Sequence, residues 1–315
     1  MKFKFLLLFL INCSLLLAKE RTTSYPFLAG DTWRFYCDWV LGESPTLEAE
    51  KVKQGDTIFV EVDSLQNFSQ NYLPHIQYQF ILITPNTDNG GDNPQPGPFD
   101  DLRNDNKLAA WFLQNIDRDA CDKLFPIPIG IANTTYVHGN ISNLDHYINI
   151  ALTKPIAERS TFAYVNFTDN TNPHERTPCR HYFNQQPWVT IRFPGNHSDY
   201  LADLANAKFV VSPRGNGLDT HRTWEALLMG CYPIVKSSYL NPLYEDLPVV
   251  IVNEWQEVTE ALLEQKLSEF SSQNFLRDKL YAEYWFQKVE EVQAALRTSQ
   301  RHNLNTTQPS GITSL

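Results

Sequence analysis

Residues 209–235 read FVVSPRGNGLDTHRTWEALLMGCYPIV, and the architecture follows from them. The apolar run 209–211 reads as a strand, 221–229 carries helical periodicity, and 232–235 returns to a β-rich run. Strand, glycine-bearing loop, helix and strand in succession form the unit from which parallel α/β sheets are built. Ligands in such sheets gather at the carboxyl ends of the strands, where a helix N-terminus offers free amides and a positive dipole end to a phosphate. Gly215 and Gly217 are expected to adopt positive φ and let the backbone approach a ligand, with Asp219 or Thr220 capping the helix. Arg214, His221 and Arg222 gather cationic or potentially cationic groups at that mouth. Glu225, three residues after Arg222 on the same helix face, is placed to accept hydrogen bonds from a pair of sugar hydroxyls.

The same alternation continues on both sides. Strands are expected at 161–167, 188–193 and 249–252, helices at 198–207, 256–270 and 275–298, and a polar loop at 168–180. The last helix has apolar positions at Leu276, Leu280, Tyr284, Val289, Val292 and Leu296. Upstream, 57–62 and 78–84 read as buried strands, 107–113 as a helix and 123–131 as an extended segment punctuated by prolines. Between them, residues 85–101 form a long loop rich in Asn, Asp, Gly and Pro, of the kind that often carries function. The division is thus a first α/β unit at 25–150, a second at 155–298 and a polar, disordered tail at 299–315.

The N-terminus sets the compartment. Lys2 and Lys4 precede an apolar run that ends before Lys19, Glu20 and Arg21, the layout of a signal peptide over residues 1–18 or, uncleaved, of a short anchor. The net charge of −10 disfavours nucleic acid as a partner and makes any cationic cluster a local anomaly. Removing the signal leaves Cys37, Cys121, Cys179 and Cys231, an even number compatible with disulfides, although Cys231 opens an apolar run and reads as a buried thiol. Beyond the signal, six glycosylation sequons, at Asn67, Asn133, Asn140, Asn166, Asn196 and Asn305, stand against about three expected from composition, which favours a secretory route.

Pro213-Arg214-Gly215-Asn216-Gly217, Arg222, Trp224-Glu225-Ala226-Leu227 and Gly230-Cys231-Tyr232-Pro233-Ile234-Val235 together resemble the C-terminal donor-binding motif of exostosin-like glycosyltransferases, family 47. The resemblance covers residues 198–258. It implies a GT-B fold, with two Rossmann-like domains facing a cleft and the nucleotide-sugar donor held mainly by the second. It further implies inverting sugar transfer to a glycan or protein-linked acceptor, with no bound metal required, in the lumen of the Golgi or endoplasmic reticulum. A uridine diphosphate sugar ranks ahead of a guanosine diphosphate one. On this chain Arg222 and Arg214 would hold the diphosphate, Glu225 the ribose or donor sugar, and Gly215 and Gly217 would shape the loop. Departure of a nucleoside diphosphate develops negative charge, and arginines with helix-terminal amides meet that need.

Arg176 and His174 in the loop 168–180, and Lys236 just past a strand end, are secondary donor-side candidates. Inverting transfer also needs a base for the acceptor hydroxyl. Asp88 and Asp92 in the long loop carry that expectation, and His138 has an equal claim. Two other readings bear on the same residues. A non-catalytic carbohydrate-binding or scaffolding protein would keep the fold without an obvious base, and a nicotinamide-dependent enzyme would need a GxGxxG turn, which the chain lacks.

Overall fold

The computed structural model describes residues 21–43, 46–88, 98–119 and 121–306. Two five-stranded parallel sheets organise them. The first contains β1 (Trp39–Val40), β2 (Thr57–Phe59), β3 (Phe80–Thr84), β4 (Leu108–Gln114) and β5 (Leu124–Ile127), paired in simple chain order. The second contains β6 (Thr161–Val165), β7 (Val189–Ile191), β8 (Ala207–Val211), β9 (Tyr232–Lys236) and β10 (Val250–Val252). Its spatial order is β10-β9-β8-β6-β7. Chain order therefore reverses between β6 and β8, and doubly wound sheets bind ligands at such a point. The first sheet has no reversal, so only the second has the expected doubly wound order.

The helices are α1 (Gly30–Tyr36), α2 (Leu65–Asn71), α3 (Pro98–Asn104), α4 (Ile141–Thr153), α5 (Pro173–Phe183), α6 (His197–Ala205), α7 (His221–Leu228), α8 (Glu260–Ser271) and α9 (Ala282–Thr306). Alternation along the second sheet sends Ala163, Val165, Phe209, Val211 and Ile234 to one core with Cys179 and Phe183 of α5 and Leu263 of α8. Tyr164, Val210 and Val235 point the other way, into a core shared with α6, α7 and the first sheet. Both faces are covered, which accounts for the continuous apolar runs of these strands.

Three expectations are corrected. Residues 107–113 are not helical: Lys107 is in a turn and 108–113 lie in β4, where Leu108, Trp111 and Leu113 are fully buried. An apolar run buried on all sides has no period that separates strand from helix, and its two alanines favoured the wrong one. The polar stretch 168–180 is not all loop, because α5 begins at Pro173, with Asn172 capping through its side chain onto the Glu175 amide. Polar composition and Pro178 masked a start signal of Asn, Pro and Glu. The last helix begins at Ala282 and continues past Thr298 to Thr306, so the tail does not start at 299. It also returns to the first sheet: Phe286 stacks on Tyr36 at 4.1 Å and lies 5.5 Å from Trp33, and Gln293 Nε2 donates to the Gly55 carbonyl at 2.8 Å. No helix among the described residues is long and apolar enough to cross a membrane, and residues 1–18 lie outside them. Among the described cysteines, Cys179 and Cys231 are buried free thiols and Cys121 an exposed one.

Candidate functional site

The loop 212–220 after β8 is held on every side. Asn172 Nδ2 donates to the Gly215 carbonyl at 3.0 Å and Arg176 Nε to the Arg214 carbonyl at 2.9 Å, both from the start of α5. From the first sheet, the Asn115 side chain just past β4 accepts the Asp219 amide at 2.7 Å. Asp219 in turn accepts the Ile129 amide at 2.9 Å, and His221 Nδ1 donates to the Gly130 carbonyl at 2.9 Å. The carboxyl ends of β4 and β5 thus meet the loop that follows β8. Asn115 has φ +56 and Asn86, past β3, φ +57, left-handed conformations that asparagine tolerates and that collect where backbone must turn sharply beside a site.

Gly215 and Gly217 do not adopt the expected positive φ. They are glycines because neighbours come close. A Cβ on Gly215 would stand 3.1 Å from the Arg176 guanidinium, and one on Gly217 would stand 2.4 Å from Asn115 Nδ2. Asp219 is buried and accepts from Trp224 Nε1 at 2.8 Å and from the Thr220 amide at 2.8 Å. Burial pushes its carboxyl up to about 6, and the amide and indole hydrogen bonds offset part of that rise. Thr220 is the N-cap residue of α7 by position, without a side-chain capping bond.

Three arginines surround the Phe167 ring just past β6. The guanidinium carbons of Arg180, Arg222 and Arg176 lie 4.5, 5.6 and 5.7 Å from its centroid. Arg180 is paired with Asp169 at 2.8 Å and donates to the Phe167 carbonyl. Arg176 is buried and spends its Nε and Nη1 on the carbonyls of Arg214 and Thr168. Arg222 donates Nε to the Asn166 carbonyl at 3.0 Å, while its Nη1 is buried with no partner. No ion pair among the described residues neutralises Arg176 or Arg222. Burial, then the charge of Arg222, pushes Arg176 down to about 10. Two guanidinium groups that make no ion pair among the described residues and lie against one ring can receive an anion.

Glu225 is buried, and both of its oxygens are engaged: Tyr200 Oη donates to Oε2 at 2.9 Å and His197 Nε2 to Oε1 at 3.2 Å. Burial alone would raise its pKa, but the hydrogen bond and charge of His197, then His221 and Tyr200, hold it below the usual glutamate value. His138 completes this side, its ring 6.0 Å from that of His197 and 6.3 Å from that of His221. No three His, Cys, Asp or Glu side chains converge as a metal site among the described residues.

The remaining candidates divide. Arg214 is exposed at the mouth and donates to the Asn216 carbonyl at 2.9 Å. Asp88 is exposed and accepts from Asn216 Nδ2 at 3.3 Å, which brings the first sheet's loop to the motif, whereas Asp92 lies outside the described residues. Lys236 is committed to Glu254 at 2.9 Å, with Glu175 at 3.7 Å, and His174 is exposed at the start of α5. The sequon at Asn166 is buried with its Nδ2 on Tyr164 Oη at 2.7 Å, so the folded chain offers no room for a glycan there. Arg180, His197 and Tyr200 were not among the expected residues; they join the site from α5 and α6, upstream of residues 213–235. A hollow of about 540 Å³ between β4, β5 and α9, lined by Phe112, Phe125, Leu243 and Trp285 among others, shares no residue with it.

No family model matches the sequence, and no curated protein does. Among solved structures, one described as "Crystal structure of GtfA/B complex" is similar at a TM-score of 0.37 and 12% identity, over 78% of this chain and 58% of that one. The chain thus spans less than two thirds of the length of the chain it matches.

Proposed function

We propose that the protein is an inverting glycosyltransferase of the GT-B type, moving a sugar from a nucleotide-diphosphate donor to a glycan or protein-linked acceptor. In this reading the two sheets belong to two lobes, and the donor lies between them against the loop 212–220. The observation that carries it is the pair Arg176 and Arg222, which converge on the Phe167 ring at the reversal between β6 and β8 and make no ion pair among the described residues. As the bond between anomeric carbon and diphosphate lengthens, charge grows on the leaving oxygen, and these two guanidinium groups with the first amides of α7 meet it. Arg214 at the mouth extends the same field. Glu225 acts by holding His197 and Tyr200, with a donor sugar or ribose reaching its remaining lone pairs. The resemblance of the motif to family 47 exostosin-like enzymes supports the assignment, and the signal-like N-terminus favours a lumen stocked with nucleotide sugars.

Calorimetric titration of the full chain with UDP, GDP and their sugar conjugates tests this. One nucleotide is expected to bind in the micromolar range and to be lost in Arg222→Ala and weakened in Glu225→Ala. Absence of binding to every nucleotide, or unchanged affinity in Arg222→Ala, contradicts it.

A further inference from the structure

Residues 133–142 carry little regular structure, yet they are built rigidly. Thr134 donates both its amide and its Oγ1 to Asp31 Oδ2 at 2.8 Å, and the Asp31 amide donates to Asn133 Oδ1 at 2.9 Å. Gly139 packs so closely that a Cβ would stand 1.9 Å from the Asn133 carbonyl oxygen. Asn140 then caps α4, accepting the Asn143 amide at 3.0 Å. On this support Tyr136 and His138 stack at 5.5 Å with their rings 21° apart. Tyr136 is 57% and Val137 92% exposed, beside an open hollow of about 480 Å³ whose rim includes Thr134, Asn140 and Ser142. An exposed aromatic face on a rigid base, next to hydroxyl and amide groups, suits a sugar ring: its C–H face stacks on the aromatic and its hydroxyls bond the rim.

His138 does not line the hollow itself but stacks on Tyr136 beside it and also neighbours the donor motif. Its ring lies 6.3 Å from His221, the residue before Arg222, and 6.0 Å from His197, which Glu225 holds. Burial, then the charge of His221, lowers its pKa, with Glu225 opposing and His197 adding to the fall, which favours the neutral imidazole.

We propose that residues 134–142 form the acceptor subsite, binding a glycan sugar on Tyr136, and that His138 is the base for the attacking hydroxyl. This rests on the donor reading above. The hydroxyl oxygen forms a bond to the anomeric carbon as its proton passes to the neutral imidazole nitrogen of His138. The bond from anomeric carbon to diphosphate breaks, and its electron pair leaves on the diphosphate oxygen beside Arg176 and Arg222.

Full-length His138→Gln and Tyr136→Ala test it through three readouts: UDP and GDP titration, saturation-transfer NMR with methyl glycosides of glucose, galactose, xylose and N-acetylglucosamine, and nucleotide release from the matching nucleotide sugars with water as acceptor. Both variants should bind nucleotide within about twofold of wild type. Tyr136→Ala should lose the glycoside signals. His138→Gln should keep them but release nucleotide ~100-fold or more slowly and lose the acid limb of the pH profile, which a structural role would leave in place. Wild-type release and pH profile in His138→Gln, or glycoside signals that survive Tyr136→Ala, overturn the proposal. If wild type binds no nucleotide while Tyr136-dependent glycoside signals are seen, the donor reading and the role of His138 fall and the sugar subsite stands.

Discussion

Oδ2 of Asp219 accepts the Ile129 amide at 2.9 Å and so ties the loop after β8 to the segment after β5. The carboxyl is buried and titrates at about 6 in the fold, above the ordinary 3.8 of the unfolded chain. Between those values only the folded state holds the proton. The stabilisation it brings is therefore present at acid pH and lost as pH rises through that window, by up to ~3 kcal/mol. Urea denaturation of wild type and Asp219→Asn at pH 4 and 7 is expected to show wild type losing stability relative to the variant at the higher pH. A pH-independent difference contradicts the assignment.

Glu225 has the opposite sign. Its folded pKa lies below the ordinary 4.5, so its stabilisation is full above that value and lost as pH falls through the folded one. Tyr200→Phe removes a hydrogen bond from a buried carboxylate and should cost ~1–3 kcal/mol at neutral pH. The variant should also begin acid unfolding at higher pH than wild type, read by circular dichroism.

Arg159 shows what a structural arginine looks like here. It is buried and donates to the carbonyls of Ala151, Ala207 and Met229, at the opposite end of β8 from the motif. Arg159→Met should lower stability by ~3 kcal/mol, leaving three carbonyls unmatched, without changing the nucleotide affinity of the folded protein. Arg222→Met should do the reverse, and chemical denaturation beside calorimetry separates the two.

Gly217→Ala should act on both. Its Cβ would displace Asn115, which holds the Asp219 amide and the Thr87 carbonyl. A loss of ~1–3 kcal/mol in stability is expected, with weaker nucleotide binding as the loop shifts. Wild-type values for both quantities would show that the contact has slack.

The second sheet was legible because β8, α7 and β9 each carry their own period over 209–235, and Arg222 because it sits inside that run. Asn115 and Ile129 were not, since they reach Asp219 from 104 and 90 residues away. His197 and Tyr200 likewise meet Glu225 across 28 and 25 residues, and no local spacing reports such a contact. The helix α5 was hidden by its polarity, and Arg180 with it; Arg176 was legible as a donor-side candidate, but only the fold shows that both converge with Arg222 on Phe167. The glycines were legible as necessary but for another reason than the one read, because close approach and positive φ leave the same mark in a sequence.

The central claim is that Arg176 and Arg222 bind a diphosphate. Titration of UDP and of uridine into wild type and Arg222→Ala isolates that group. UDP is expected to bind ~100-fold tighter than uridine, and the gap to shrink by at least ~10-fold in the variant while uridine affinity holds. Equal affinity for UDP and uridine in wild type, or an undiminished gap in Arg222→Ala, would contradict it.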